Sequence, residues 1–240
     1  MIIFKLLIMV FLAAVPVHAD PLVAEKGELL YMNALSRPSL VENWVMEGPG
    51  KLRFKDGWMH MFSPDESYHH VFWCPHNFPD HFIAEWQAQN MEPDAGLCII
   101  FFAAKGLNGE DILTGDLPSR DGTFGNYIRG PLNCYHISYY ANTPKKPDRG
   151  DSHLRKNKGF HLVESGKEGI PTESTDIHTM RLVKNGAHIV MYVDDRKIIE
   201  WKDPKGKYGP PLKDGKIGFR QMQWTHFRYR NFRVWSIKNK

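Results

Sequence analysis

His81-Phe-Ile-Ala-Glu-Trp-Gln-Ala-Gln89, followed by Leu97-Cys-Ile-Ile-Phe-Phe-Ala-Ala104, decides the fold of this 240-residue chain. In the first stretch Phe82, Ala84, Trp86 and Ala88 alternate with Glu85, Gln87 and Gln89. That two-residue period is a strand with one buried and one polar side. The second stretch is apolar throughout, as in a central strand buried on both faces. Working outward, residues 133–140, 179–184 and 188–193 also read as strands, and Asn185-Gly186 joins the last two as a hairpin. Residues 197–201, 216–222 and 226–235 supply three more, whereas 143–150 and 202–214 read as loops. No segment sustains a helical period. Many short strands between polar turns predict an all-β chain: a sandwich or jelly roll of two antiparallel sheets.

Ahead of this pattern, Met1-Ile-Ile-Phe-Lys5 carries one positive charge, residues 6–15 are apolar, and Val17-His18-Ala19 offers a small-residue cleavage site. This order predicts a signal peptide over residues 1–19 and a single domain over 20–240. The apolar run is too short to cross a bilayer, and no lipobox cysteine follows it. The expectation is therefore a secreted or periplasmic protein without a membrane anchor. The formal net charge of +4 is mild and its basic residues are dispersed, which argues against a nucleic-acid partner. Cys74, Cys98 and Cys134 allow at most one disulfide, and Cys98 reads as a buried inert thiol.

The chain lacks a Glu-x-Asp-x-x-Glu strand, a Gly-x-Ser-x-Gly elbow, a His-Glu-x-x-His zinc site and any phosphate or dinucleotide fingerprint. Polar clusters stand out instead. In Asn133-Cys-Tyr-His-Ile-Ser-Tyr-Tyr140, alternation puts Tyr135, Ile137 and Tyr139 on one side and His136, Ser138 and Tyr140 on the other, with Arg129 just upstream. A loop over 153–157 brings His153, Arg155, Lys156 and Asn157, and arginine there offers a planar fork for a carboxylate. Arg220, Gln221, Gln223, Trp224 and His226 surround the last hairpin, and Trp58 and Trp224 are candidate sugar platforms. His69, His70, His76 and His81 have no ligand spacing, so no metal set is assigned. No cofactor is expected, and a structural calcium is compatible with such a sandwich.

Arginine, tyrosine and histidine without paired acids suit β-elimination from a uronic acid. The C5 hydrogen becomes acidic only when the adjacent carboxylate is neutralised, a task for Arg129 or Arg155 with Gln87 or Asn157. His136 or His153 would remove that hydrogen, and Tyr140 would protonate the group leaving C4. Gln87, Gln89, Arg155, Asn157, Trp58 and Gln221 are the expected substrate contacts. Two other readings compete. One is a non-catalytic carbohydrate-binding protein. The other is a glycoside hydrolase in which Glu85 pairs with Asp176 or Glu173.

The segments Tyr135-His-Ile-Ser-Tyr-Tyr-Ala-Asn142, Leu154-Arg-Lys-Asn-Lys-Gly-Phe160, Lys216-Ile-Gly-Phe-Arg220 and Tyr229-Arg-Asn-Phe-Arg-Val234 resemble the YesU-like proteins, a former domain of unknown function. The resemblance covers nearly all of 20–240 and implies a concanavalin-A-like jelly roll. It also implies a part in breaking down uronate-containing poly- or oligosaccharides such as ulvan or rhamnogalacturonan. Polysaccharide lyases of that fold use an Arg, a Gln or Asn, a His and a Tyr on one sheet. Here the resemblance points to Arg129, Gln87, His136 and Tyr140, although the lyases' Tyr-x-Lys-x-Tyr pattern is not reproduced.

Overall fold

A computed structural model describes residues 23–64, 68–93, 96–142 and 150–238; the expected signal peptide lies outside them. The strands are β1 (Lys26–Asn33), β2 (Val45–Glu47), β3 (Lys51–Lys55), β4 (Trp58–Phe62), β5 (His70–Trp73), β6 (His81–Asn90), β7 (Gly96–Gly106) and β8 (Leu132–Asn142), then β9 (Asp151–Asn157), β10 (His161–Glu168), β11 (Ile177–Asn185), β12 (His188–Val193), β13 (Arg196–Lys202), β14 (Lys216–Gln221) and β15 (His226–Ile237). A four-residue helix, α1 (Gly125–Ile128), sits in the long β7–β8 connection. One sheet runs β13-β12-β11-β6-β15-β4-β3, with β1 also paired to β15. The other runs β10-β9-β8-β7-β14-β5-β2. Every named strand pair is antiparallel, as the sequence pattern requires.

The expected faces are realised. Phe82, Ala84, Trp86 and Ala88 enter the core between the sheets, while Glu85, Gln87 and Gln89 line the outside. The apolar run on β7 feeds two cores. Cys98, Ile100 and Phe102 face the inter-sheet core; Leu97, Ile99 and Phe101 face a second cluster under the β7–β8 connection, with Trp73, Ile112 and Tyr127. All three cysteines are buried free thiols. Burial pushes the Cys98 thiol well up, so it is inert at neutral pH.

Residues 153–157, expected as a loop, are strand β9, paired to β8 and β10. The polar run Arg155-Lys-Asn157 alternates in the usual way, but its inward member is a lysine. Lys156 reaches Asp203 at 2.7 Å and the carbonyls of Gly209 and Pro210, pinning the 203–215 connection to the sandwich. A buried cation survives there because every donor is satisfied.

Three histidines give the fold an acid limit. Burial holds His60, His69 and His70 at about 4, with neighbouring cations adding to the effect. The unfolded imidazoles titrate near 6.5, so between about 6.5 and 4 the unfolded chain binds more protons than the folded one. Stability is then complete above that window and falls as pH drops through it. Urea melts from pH 7 to 4 should show a decline of up to three protons in slope; a flat profile would contradict neutral buried rings.

Candidate functional site

The outer face of the β10-β9-β8-β7-β14-β5-β2 sheet gathers four of the expected residues, His136, His153, Arg155 and Asn157. Register places Arg155 opposite His136, His136 opposite Phe101, and Phe101 opposite Gly218. The next row places His153 opposite Ser138, Ser138 opposite Ile99, and Ile99 opposite Arg220. His136 and His153 are therefore diagonal neighbours, roughly 7–8 Å apart at the backbone. His153 and Arg155 are half-buried, and His136 is buried.

Asn157 orients His136. Its Nδ2 lies 2.8 Å from His136 Nδ1 and 3.3 Å from the Cys134 sulfur, which fixes the orientation of the ring. Asn157 is thus a positioning residue. Phe160 stacks on the His136 ring at 5.9 Å and carries the Arg155 guanidinium 3.9 Å above its own centroid. Arg155 also donates to the Phe160 carbonyl at 3.1 Å. Arg129 ends α1 at the rim of this face. Gly159 N–H donates to the Ile128 carbonyl at 2.8 Å, docking the helix end on the β9–β10 turn.

Arg220 is the deepest charge on the face, 1% exposed. Its Nη1 donates to the Gly122 carbonyl at 3.0 Å, and its guanidinium lies 4.6 Å from the Phe124 ring centroid and 5.3 Å from that of Tyr127. Its Nε and Nη2 are buried without a hydrogen-bond partner among the described residues. Burial lowers its pKa to about 10, so it stays cationic at neutral pH. Beside it His69 is held neutral and accepts the Gln223 N–H at 3.1 Å. The acid at the end of this row is Glu47, and it is already committed. It takes Trp73 Nε1 and Tyr127 Oη at 2.8 Å each and a two-pronged bond from Arg120. That cluster clamps the 107–131 segment over the face and leaves Arg220 without a counter-ion among the described residues.

Other expected site residues lie elsewhere. Tyr140 does not share the face of His136. Cys98 opposes Tyr140 and Ile99 opposes Ser138, so β8 carries one extra residue there and both Tyr139 and Tyr140 turn into the inter-sheet core. Tyr140 Oη points to the carbonyls of Pro93 and Thr172, and burial raises its pKa to about 12. It is not placed to protonate a leaving group. Tyr140→Phe should lower stability by about 1 kcal/mol and leave any turnover intact; a hundredfold activity loss would contradict this placement.

Gln221 is also internal, bonded to His70 and to Tyr229 Oη, so it cannot touch substrate. Gln87 and Gln89 lie on the opposite sheet, facing away from His136. Trp58 is there too, but only 3% exposed beneath Arg228 and Arg230, so it offers no open platform. The proposed carboxylate pair fails on distance. Glu85 sits opposite Arg181, and Asp176 is five residues before it, a strand distance of about 17 Å. Hydrolysis needs no more than about 9.5 Å. Glu85 is instead bonded to Arg181 and to Lys26 at 2.6 Å. Among the described residues no group of three His, Cys, Asp or Glu side chains could hold a metal ion.

The fold and this face define a galectin-like jelly roll with a basic, histidine-bearing sheet face closed over by one long connection. A crystal structure from Bacillus subtilis, described as a protein of unknown function with galectin-like fold, superposes with a TM-score of 0.87 at 36% identity over 91% of this chain and 100% of that one. The chain belongs to the family described as domain of unknown function DUF1961, whose model matches residues 28–234. The uncharacterized protein YesU of Bacillus subtilis (strain 168) is 38% identical over 213 residues, covering 88% of this chain and 96% of that protein. More distantly, the exoplasmic domain of VIP36 shares the fold at a TM-score of 0.61 and 10% identity, over 89% of this chain and 92% of that one.

Proposed function

We propose that the protein binds uronate-containing poly- or oligosaccharides on the outer face of the β8–β9–β7–β14 region and acts on them by β-elimination. The supporting observation is that His136, His153 and Arg155 share paired strands on the same sheet face as Arg220, a buried cation with unpaired donors and, among the described residues, no acid to match it. An uncompensated buried charge is costly, and an anionic ligand recovers that cost. Arg155 takes the uronate carboxylate, and the charge of Arg220 further along the same face adds to the field that stabilises the enolate. One histidine removes the C5 hydrogen as a proton, and the electron pair forms the C4–C5 double bond. The C4–O bond breaks, and its oxygen takes a proton from the other histidine. A sugar leaving group makes the protein a lyase; loss of water makes it a dehydratase.

The sugar half of the reading draws support from fold relatives, among them the VIP36 domain with Man3GlcNAc bound. The same relatives favour a second reading, sugar binding without turnover. Action outside the cytoplasm, expected from residues 1–19, belongs to the same proposal. The test is incubation with ulvan, polygalacturonate and rhamnogalacturonan fragments, followed by ultraviolet absorbance and product mass. A rise in absorbance supports elimination, and the mass separates chain cleavage from water loss. Binding without any rise across the panel leaves the second reading.

A further inference from the structure

The opposite sheet carries an arrangement that the elimination site does not use. On β15, Arg228 and Arg230 lie two residues apart and point to the same outer face. Each is held by a glutamine of β6: Arg228 Nε donates to Gln89 Oε1 and Arg230 Nε to Gln87 Oε1, both at 2.7 Å. Gln89 is itself fixed, donating to the Thr175 carbonyl at 2.6 Å, and Asn231 adds a second donor to Gln87 at 3.1 Å. Both guanidiniums lie over the buried Trp58 ring, at 4.5 and 4.1 Å from its centroid. With Nε tied down and one flat side on an indole, the Nη edges are half-buried, pre-oriented and without a hydrogen-bond partner among the described residues. Two such forks on one strand stand about 7 Å apart.

A histidine beside them points to the rest of the ligand. His60 is 4% exposed and opposes Arg228. Glu92 Oε1 lies 3.2 Å from His226 Nδ1, and His226 Nε2 lies 3.2 Å from His60 Nδ1. The carboxylate accepts the Nδ1 hydrogen of His226, so the neutral form of that ring has only a lone pair at Nε2. His60 Nδ1 then donates to it, which leaves a lone pair on His60 Nε2. That atom is buried and has no hydrogen-bond partner among the described residues. An acceptor next to two cationic forks matches a hydroxyl next to anionic groups. Arg53, Lys55 and Arg228 surround His60 and keep the locality positive, while Glu92 is spent on His226.

We propose that this face is a second glycan site, in which Arg228 and Arg230 hold carboxylate or sulfate groups of an acidic saccharide and His60 Nε2 accepts one of its hydroxyls. It lies across the sandwich from His136, so it anchors the polymer without taking part in proton transfer.

The test is affinity electrophoresis of the full chain through gels containing polygalacturonate, dextran sulfate or neutral dextran. The wild type should be retarded by one or both acidic polymers and not by dextran, which also tells carboxylate from sulfate ligands. R228Q/R230Q should weaken that retardation about tenfold or more, as expected for losing two charge-assisted forks. K167Q/K213Q, which removes two exposed charges used by neither site, should keep most of it. Absence of retardation of the wild type by either acidic polymer would overturn the proposal. So would R228Q/R230Q running like the wild type, or an equal loss in K167Q/K213Q. Should the glutamine variant misfold, R228K/R230K keeps the charge and loses the planar forks; it should be retarded less than the wild type, and equality would again overturn the site.

Discussion

His136→Gln is expected to leave the sandwich folded and to cut elimination by about 10²–10⁴-fold, the usual worth of a positioned acid or base. The glutamine keeps a polar partner for Asn157 and fills most of the space between Phe101, Phe124 and Phe160, which pack around the ring at 5.4–6.0 Å. Its amide cannot exchange a proton at neutral pH. Far-ultraviolet circular dichroism and melting temperature should stay close to wild type while absorbance from new double bonds disappears. Unchanged turnover would remove His136 from the reaction and transfer the burden to His153.

Glu47→Ala should produce the largest loss of stability, about 3–5 kcal/mol, because it strands a buried arginine. The Arg120 and Glu47 side chains are 4% and 8% exposed, and Arg120 has no other carboxylate within reach among the described residues. Trp73 Nε1 and Tyr127 Oη lose their acceptor in the same step. At about 2–4 °C per kcal/mol for a chain of this size, the melting temperature should fall by about 6–20 °C. Since the same carboxylate clamps residues 107–131 over the polar face, activity should fall further than the unfolded fraction accounts for. A change under about 2 °C would mean that the pair contributes little net energy.

Much of this architecture was legible in residue order alone. The alternation on β6 and the double-sided run on β7 specify which side chains enter the core, and the two-sheet sandwich follows from them. Strands β1 to β5 gave no comparable signal: β2 has three residues, and the alternation of Trp58-Met-His-Met-Phe62 passes as a mixed apolar run. The site was legible in part. His136, His153, Arg155 and Asn157 do share a face, because β8 and β9 pair in register with ordinary alternation through Ser138. Tyr140 was misplaced by one bulge, since a single inserted residue reverses every side chain beyond it. Gln87 was assigned the right side of its strand but belongs to the other sheet, a matter of strand order that no local pattern carries. Arg220 alternates with Phe219 and Gln221 and was open to the same reasoning. The Glu47–Arg120 clamp joins residues 73 positions apart and leaves no trace in local sequence. His226-x-Arg228-x-Arg230 shows its two-residue period openly, yet its meaning depends on Gln87 and Gln89 lying alongside.

The most direct measurement of the central claim is double-bond absorbance with an oligouronate and, in parallel, its carboxyl-reduced counterpart. The reading predicts a rise for the wild type only with the carboxylate present, and none for His136→Gln on either substrate. New reducing ends without absorbance, or equal absorbance from both substrates, would contradict it.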